Sequence, residues 1–580
     1  MQNPRRCTPY FVPMRRNSNI LLGAMAALTA AAHFVCINQY GLFRDELYFL
    51  ACGEHLDWGY VDQPPLVAVY AWIARHLGTS PLAVRILPVL AAAALVALTG
   101  AMARRLGGGL FAQFLACLTT LIAPFFIATG HFLSMNIFEP LFWMGMAYVA
   151  IVIFQGGSEK LWLLFGLLAG LGLENKHTTL FFGSSFVLAM LLTRQRRHLA
   201  RPWIWLGGVV AAIVFAPNAI WEVRHHFATI ELLRNIAHSN KNAPVNLGSF
   251  AAGQLLMIHP INAIVWIAGL IWLFRSERYR VLALTWVLCF AEFVVMKGKV
   301  YYLSPAYPML LAAGSVAIEE WTAARARAWR VATAAIVAVT GAALAPLTLP
   351  ILPVETYIAY QRALHFEPPR TENHRFGPLP QQYADMFGWP EMVATVAAVY
   401  DKLPPADRAR CLIFGQNYGE AGAIDWFGPK YGLPKALSGH QNYFLWGPRN
   451  YDGSVAIVIG DHRERLEELF GRVERAATIN HPYSMPYEHR DVWVCREPKV
   501  NFQELWPKIK AWIWGAPASS PAGPAGVSPA RGGTPRSQPA RTPALPTCYP
   551  LPPCPRKSAD TRSRRRSRRR SSIASATRTS

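Results

Sequence analysis

Apolar runs separated by short polar stretches fill roughly the first 350 residues, after which the pattern changes to short strand-like runs interleaved with helical ones. A helix needs about 20 apolar residues to cross the hydrocarbon core of a bilayer. On that scale the pattern predicts eleven membrane helices, beginning near Ile20, Leu82, Leu110, Asn136, Leu161, Thr178, Pro202, Phe250, Val281, Tyr301 and Val331. The fifth and sixth are short, with only Glu174, Asn175, Lys176 and His177 between them. The first follows Arg5, Arg6, Arg15 and Arg16, and its apolar run exceeds the roughly 7 to 15 residues of a cleavable signal, so it reads as an uncleaved anchor.

Arginine and lysine recur in alternate loops. Arg104 and Arg105, Lys160, the group Arg194, Arg196, Arg197 and Arg201, then Arg275, Arg278 and Arg280, and finally Arg325, Arg327 and Arg330 all fall on the side of the N-terminus. Because cytoplasmic loops retain excess positive charge, this side is expected to be the cytoplasm and the number of spans odd. Residues 38–81, the turn near 130, the loop 222–249 and everything beyond about 350 then face the outside of a bacterial inner membrane. The expected organisation is a cytoplasmic segment 1–19, a membrane core 20–350 with a first outer loop at 38–81, a connector 351–376, and a small α/β domain over 377–500. An amphipathic segment 501–514 and a basic tail 515–580 follow. Strand signals in the α/β domain lie at Arg410 to Phe414, Ser454 to Ile459 and Val492 to Cys495, with helical patterns at Glu391 to Lys402 and His462 to Arg472. The Pro-, Ala-, Ser- and Arg-rich tail lacks the apolar surface to fold.

Composition narrows the classes of function. The chain is 52% hydrophobic and 16% charged, too few polar side chains for an ordinary soluble surface. Of the net charge of +23, the tail supplies +12, from 12 Arg and one Lys against one Asp, so the basic character offers no folded nucleic-acid face. Nine cysteines are scattered without zinc-like spacing. Cys411 and Cys495 share the C-terminal region, as a disulfide if it is extracytoplasmic or as two unrelated buried thiols.

Candidate chemistry concentrates in the first outer loop, GLFRDELYFLACGEHLDWGYVDQPPL, where Asp45, Glu46, Glu54, Asp57 and Asp62 crowd beside the bilayer. Carboxylates there are costly unless paired or used, and Arg44 can pair its neighbours. Lys176, Lys297 and Lys299 sit at outer helix ends, where few cations are expected; they either snorkel to headgroups or hold an anionic ligand such as phosphate. A carboxylate base beside phosphate-holding cations is what glycosyl transfer from a lipid phosphate requires.

The phrases RDELYFLACGEHLDWGYVDQPPL, ENKHT and KGKVYYLSPAYPML resemble the bacterial members of glycosyltransferase family 39, the dolichyl-phosphate-mannose-protein mannosyltransferase-like proteins related to the aminoarabinose transferases of lipid A. The resemblance runs from about residue 20 to 320; QNYGEAGAIDWFGPKYGLP and SGHQNYFLWGP also look like the C-terminal domain of such proteins. It implies a GT-C fold: a many-helix membrane core with a catalytic first outer loop and a variable extracytoplasmic domain. It also implies an inverting transfer of a sugar from a polyprenyl-phosphate donor to a hydroxyl on the outer face. Carried over by motif, Asp45 is the general base with Glu46 beside it, Lys176, Lys297 and Lys299 with Tyr302 hold the donor phosphate, and Arg44 and Asp62 orient substrate or loop. Many relatives carry an acid at the second outer turn, where this chain has Asn136 with Glu139 a turn later; Glu139 is either that acid or a helix N-terminal one. A requirement for a divalent cation is left open, and no other cofactor is implied. The acceptor is a protein, lipid A or an envelope polysaccharide, and membrane lipid surrounds the core. His131, His177, His225, His226 and His259 read as packing or surface groups, and Trp143, Trp221, Trp266 and Trp286 as interfacial anchors. Asn417, Tyr418, Glu420, His440 and Asn442 make a polar set suited to strand-end turns or to binding sugar. A flippase for an isoprenoid-linked sugar would use the same charges; it usually shows internal repeats, which are not apparent here.

Overall fold

A computed structural model describes residues 11–239, 245–367 and 375–513; the basic tail and the first ten residues lie outside the described part. Among the described residues four helices are long and apolar enough to cross a membrane: Arg16–Val35, Pro81–Arg105, Pro202–Arg224 and Ala328–Leu347. Shorter apolar helices, among them Leu110–Leu121, Glu139–Phe154, Leu161–Asn175 and Thr179–Leu191, pack between them. The span expected from Phe250 is broken instead: Leu247–Ile258 and Asn262–Arg275 meet at 109°. The break falls at His259, whose φ of +81° ends the helix, followed by Pro260, which has no N–H with which to continue it. The segment starting at Tyr301 likewise begins as a 3-10 turn, Val300–Ala306, before the helix Tyr307–Ala323.

Glycine sets the closest helix contacts. A Cβ on Gly166 would lie 1.9 Å from the Gly207 carbonyl oxygen, and one on Gly314 1.9 Å from that of Val265, so helix pairs 161–175 with 202–224 and 262–275 with 307–323 touch backbone to backbone. Small residues at such crossings compensate for the absence of a hydrophobic drive between helices in lipid. On the outer faces Ile213 and Val339 are 67% and 68% exposed, surface that suits acyl chains and not water.

The C-terminal region folds on a four-stranded mixed sheet, β1 (Cys411–Gly415), β2 (Val455–Ile459), β3 (Phe470–Ile479) and β4 (Arg490–Pro498), in the order β1-β2-β4-β3 with only β1 and β2 parallel. Alternation along β1 sends Cys411 and Ile413 to one face and Leu412 to the other. The first face packs on helices Trp389–Asp401 and Tyr418–Phe427 and, through them, on Leu47, Leu50 and Ala51 of the first outer loop, in a single apolar cluster. This face of the small domain therefore shares its core with the loop, whereas the other face packs Leu412, Val458 and Trp493 on Leu466, Phe502 and Trp506. The helical pattern expected over His462 to Arg472 ends at Leu469, because Phe470 already begins β3. Cys411 and Cys495 are both buried free thiols: they lie on β1 and β4 with β2 between, about 10 Å apart, beyond the reach of a disulfide. The segment after β4 turns through Phe502–Leu505 and Trp506–Ile509, then bridges back to His440 at Ala511.

Candidate active site

The helix Arg44–Glu54 opens the first outer loop, and its first turn carries Asp45 and Glu46, acids favoured there by the unpaired N–H groups. The two neighbours point to different environments. Asp45, with its side chain 33% exposed, lines a cavity of about 820 Å³. Glu46 is fully buried and outside the wall of that cavity. Its carboxylate accepts from the backbone N–H of Phe43 and of Leu133, both at 2.8 Å, and from Arg85 through Nε at 3.2 Å and Nη2 at 2.9 Å. Arg85 also donates to the carbonyls of Ile37 at 3.1 Å and Gly41 at 2.7 Å. All of Glu46 is thus engaged in tying the loop to the helix Pro81–Arg105 and to the second outer turn. This geometry is that of a structural anchor and not of a group that meets substrate.

Lys176 stands on the opposite wall, where Leu161–Asn175 ends. Its ammonium donates to Asn136 Oδ1 at 3.0 Å and Glu139 Oε2 at 2.9 Å and lies 5.2 and 4.8 Å from the ring centres of Tyr301 and Tyr302. Glu139 is itself fully buried, holding Lys176 and the Thr178 hydroxyl, and is not part of the cavity wall; Asn136, one turn earlier, is. Among the described residues no three His, Cys, Asp or Glu side chains gather as metal ligands. Lys297 and Lys299 flank Gly298, which reaches the cavity, but neither lysine lines it. Lys297 is exposed in a left-handed turn that closes helix Arg280–Val295, with the N–H of Gly298 bonded to the Phe293 carbonyl. Of the expected set, the cavity brings together Arg44, Asp45, Asp62, Lys176 and Tyr302, and leaves out Glu46, Glu139, Lys297 and Lys299.

The remaining wall has two characters. Phe125, Phe181, Met257, Phe293 and Met296 make an apolar side within the helical core, whereas Thr348 at the end of the core, Gln361 of the connector, and Gln381 and Gln382 beyond it make a polar one. Beneath Arg44 and Asp45 lie groups from the C-terminal domain. Arg44 donates to the Tyr487 hydroxyl at 2.7 Å and lies 3.8 Å from Asp385, to which Tyr487 donates at 3.0 Å. Burial pushes the Asp385 carboxyl upward, against the pull of Arg44. Tyr418 donates to Asp45 at 2.8 Å; Tyr48 donates to Asp62 at 3.0 Å, and Asn442 accepts from the N–H of Val61 at 2.7 Å. His131, buried, stands 3.5 Å from Arg85 and is not part of the cavity wall, whereas His177 lines the cavity and bonds Asn218 at 2.9 Å.

Similarity to known proteins follows this geometry. The family model for dolichyl-phosphate-mannose-protein mannosyltransferases matches residues 62–221. The crystal structure of ArnT from Cupriavidus metallidurans bound to undecaprenyl phosphate superimposes with a TM-score of 0.55 at 15% identity, over 81% of this chain and 97% of that one. The chain has the fold of this structure. The apo ArnT structure from the same organism gives 0.54 at 16% identity with the same coverage. A curated relative, the lipid A galacturonosyltransferase RgtD of Rhizobium johnstonii, is 29% identical over 229 residues, 38% of this chain; the match spans about half, 47%, of the relative's length. With the apolar helices described above, these likenesses make the chain a multi-pass membrane protein.

Proposed function

We propose that the protein is an inverting glycosyltransferase that moves a sugar from a polyprenyl-phosphate donor to an acceptor hydroxyl at the outer face of a bacterial inner membrane. One observation carries the reading: a single cavity joins an acid, Asp45, a cation, Lys176, and an apolar wall reaching into the membrane core. In this reading the isoprenoid lies along Phe181, Phe293 and Met296, and its phosphate meets Lys176 beside Tyr302. Asp45 takes the proton from the acceptor hydroxyl as that oxygen bonds to the anomeric carbon from the face opposite the phosphate. The carbon–phosphate-oxygen bond breaks, its electron pair stays on the phosphate, and Lys176 balances the charge that grows there. Arg44 holds Asp45 in place, and Asp62 orients the loop. No step is routed through a metal.

A lipid A or other envelope acceptor is supported by the relatives, which include a lipid A galacturonosyltransferase and an undecaprenyl phosphate-bound ArnT. The test is sugar transfer in membrane vesicles, supplied with a panel of labelled polyprenyl-phosphate sugars and lipid extracts as acceptors, for wild type and Asp45→Asn. Donor-dependent transfer that disappears in Asp45→Asn supports the reading. Label that crosses the bilayer still on its carrier, equally in both proteins, replaces the transferase with a flippase.

A further inference from the structure

Asp45 is not held by the membrane core alone. The Tyr418 hydroxyl donates to its Oδ1 at 2.8 Å, and Arg44 Nε lies 3.6 Å from the same oxygen. Tyr418 is the first residue of helix Tyr418–Phe427, whose N-cap, Asn417, accepts from the N–H groups of Gly419 and Glu420 at 2.8 and 3.0 Å. That cap fixes where the helix starts and therefore where the phenol points. The ring is clamped on both faces, stacked on Tyr48 at 4.6 Å and on His440 at 4.8 Å. Burial keeps the phenol protonated well beyond its ordinary range, so it remains a donor at any pH at which the protein functions. Gly419 and Gly422 allow the close approach: a Cβ at either would meet Arg44 or the Leu47 backbone at 2.4 and 2.9 Å.

We infer that Tyr418, a residue of the C-terminal domain, is a positioning residue for the Asp45 carboxylate, so that the base of the reaction is assembled from both parts of the chain. This rests on the assignment of Asp45 as base. The phenol and Arg44 both occupy Oδ1, which leaves Oδ2 to receive the acceptor's proton. The Tyr418 hydrogen bond fixes the carboxyl plane relative to the acceptor.

The experiment compares Tyr418→Phe with wild type and Asp45→Asn in the vesicle transfer assay, with melting temperature and donor KM measured in parallel. Tyr418→Phe keeps the ring stack and loses only the hydroxyl. The expected result is a kcat lower by about tenfold or more, with donor KM and melting temperature unchanged. An unchanged kcat, or a loss of rate that follows a rise in donor KM or a fall in melting temperature, overturns the inference and leaves Tyr418 as packing. If Tyr418→Phe does not fold, 3-fluorotyrosine at the same position keeps the ring stack and alters the donor strength of the hydroxyl, and kcat must then differ from wild type at unchanged donor KM; an identical kcat overturns the inference. Transfer that survives Asp45→Asn refutes the assignment of the base itself, a separate outcome.

Discussion

Replacing Glu46 by alanine removes the carboxylate that four N–H donors share: two backbone groups at 2.8 Å and two from Arg85 at 3.2 and 2.9 Å. Arg85 has no exposed side-chain surface through which water could replace the lost partner. Breaking a buried ion pair from one side costs about 3–5 kcal/mol, largely because a charge is left uncompensated. Each orphaned backbone N–H adds on the order of 1 kcal/mol, though the terms overlap and do not sum. Against a total stability of roughly 5–15 kcal/mol this is a large fraction, and because the unfolding entropy of a chain this size is about 1 kcal/mol per degree, the melting temperature of detergent-solubilised Glu46→Ala should fall by about 3–5 °C. The double variant Glu46→Leu with Arg85→Met removes both charges and should recover most of that loss, because a well-packed apolar pair is often neutral relative to a buried ion pair. Thermal melts and vesicle transfer, measured on all three proteins, test the argument. It is refuted if Glu46→Ala melts with wild type while losing transfer, for Glu46 would then act on substrate and not on the fold.

Lys176→Met should lower transfer by about 10- to 100-fold and raise the donor KM, while Lys176→Arg restores part of it; equal donor KM in all three would place the phosphate elsewhere. Glu488 and Glu420 meet in the C-terminal domain, and burial first, then the neighbouring carboxylate, raises Glu488 well above its ordinary 4.5. A carboxyl raised in the folded state contributes stability that is intact below about 4.5 and is lost as pH rises through its folded value. The melting temperature should therefore fall on going alkaline, and Glu488→Gln should flatten that fall; parallel curves for the two proteins would contradict it. Gly422→Ala pushes a methyl to 2.9 Å from the Leu47 backbone and should destabilise by about 1–3 kcal/mol, seen as a lower melting temperature. An unchanged melt would mean the two helices separate freely.

What could be read in the sequence was local. Asp45 stood out through the density of acids around it, and β1, β2 and β4 through their apolar runs. β3 was hidden because it is an edge strand whose Arg472, Glu474 and Arg475 face water and, following RERLEEL, continue a helical pattern. Charged edge positions protect a sheet from pairing with another chain, and they erase the strand's signal for the same reason. The site's inner partners were invisible on different grounds. Arg85 looks like a lone charge in an apolar run, and nothing local ties it to Glu46. Tyr418 and Tyr487 reach Asp45 and Arg44 across 373 and 443 residues. Lys176 lines the cavity while Lys297 and Lys299 do not, because position at a helix end does not say which way a side chain turns; Lys297 sits in a left-handed turn.

The two supports of the first-loop helix differ in when the ribosome delivers them. Arg85 follows Glu46 by only 39 residues, whereas Tyr487 follows Arg44 by 443. At about 5–20 residues per second the second support arrives roughly 20 to 90 seconds after the loop has left the ribosome. Through that interval the loop is docked on the membrane core through Glu46, with Arg85 and Leu133 as its partners, and Arg44 waits for Tyr487. A chain truncated before residue 418 would lack the tyrosine partners of both Asp45 and Arg44, and one truncated between 418 and 487 would lack that of Arg44 alone.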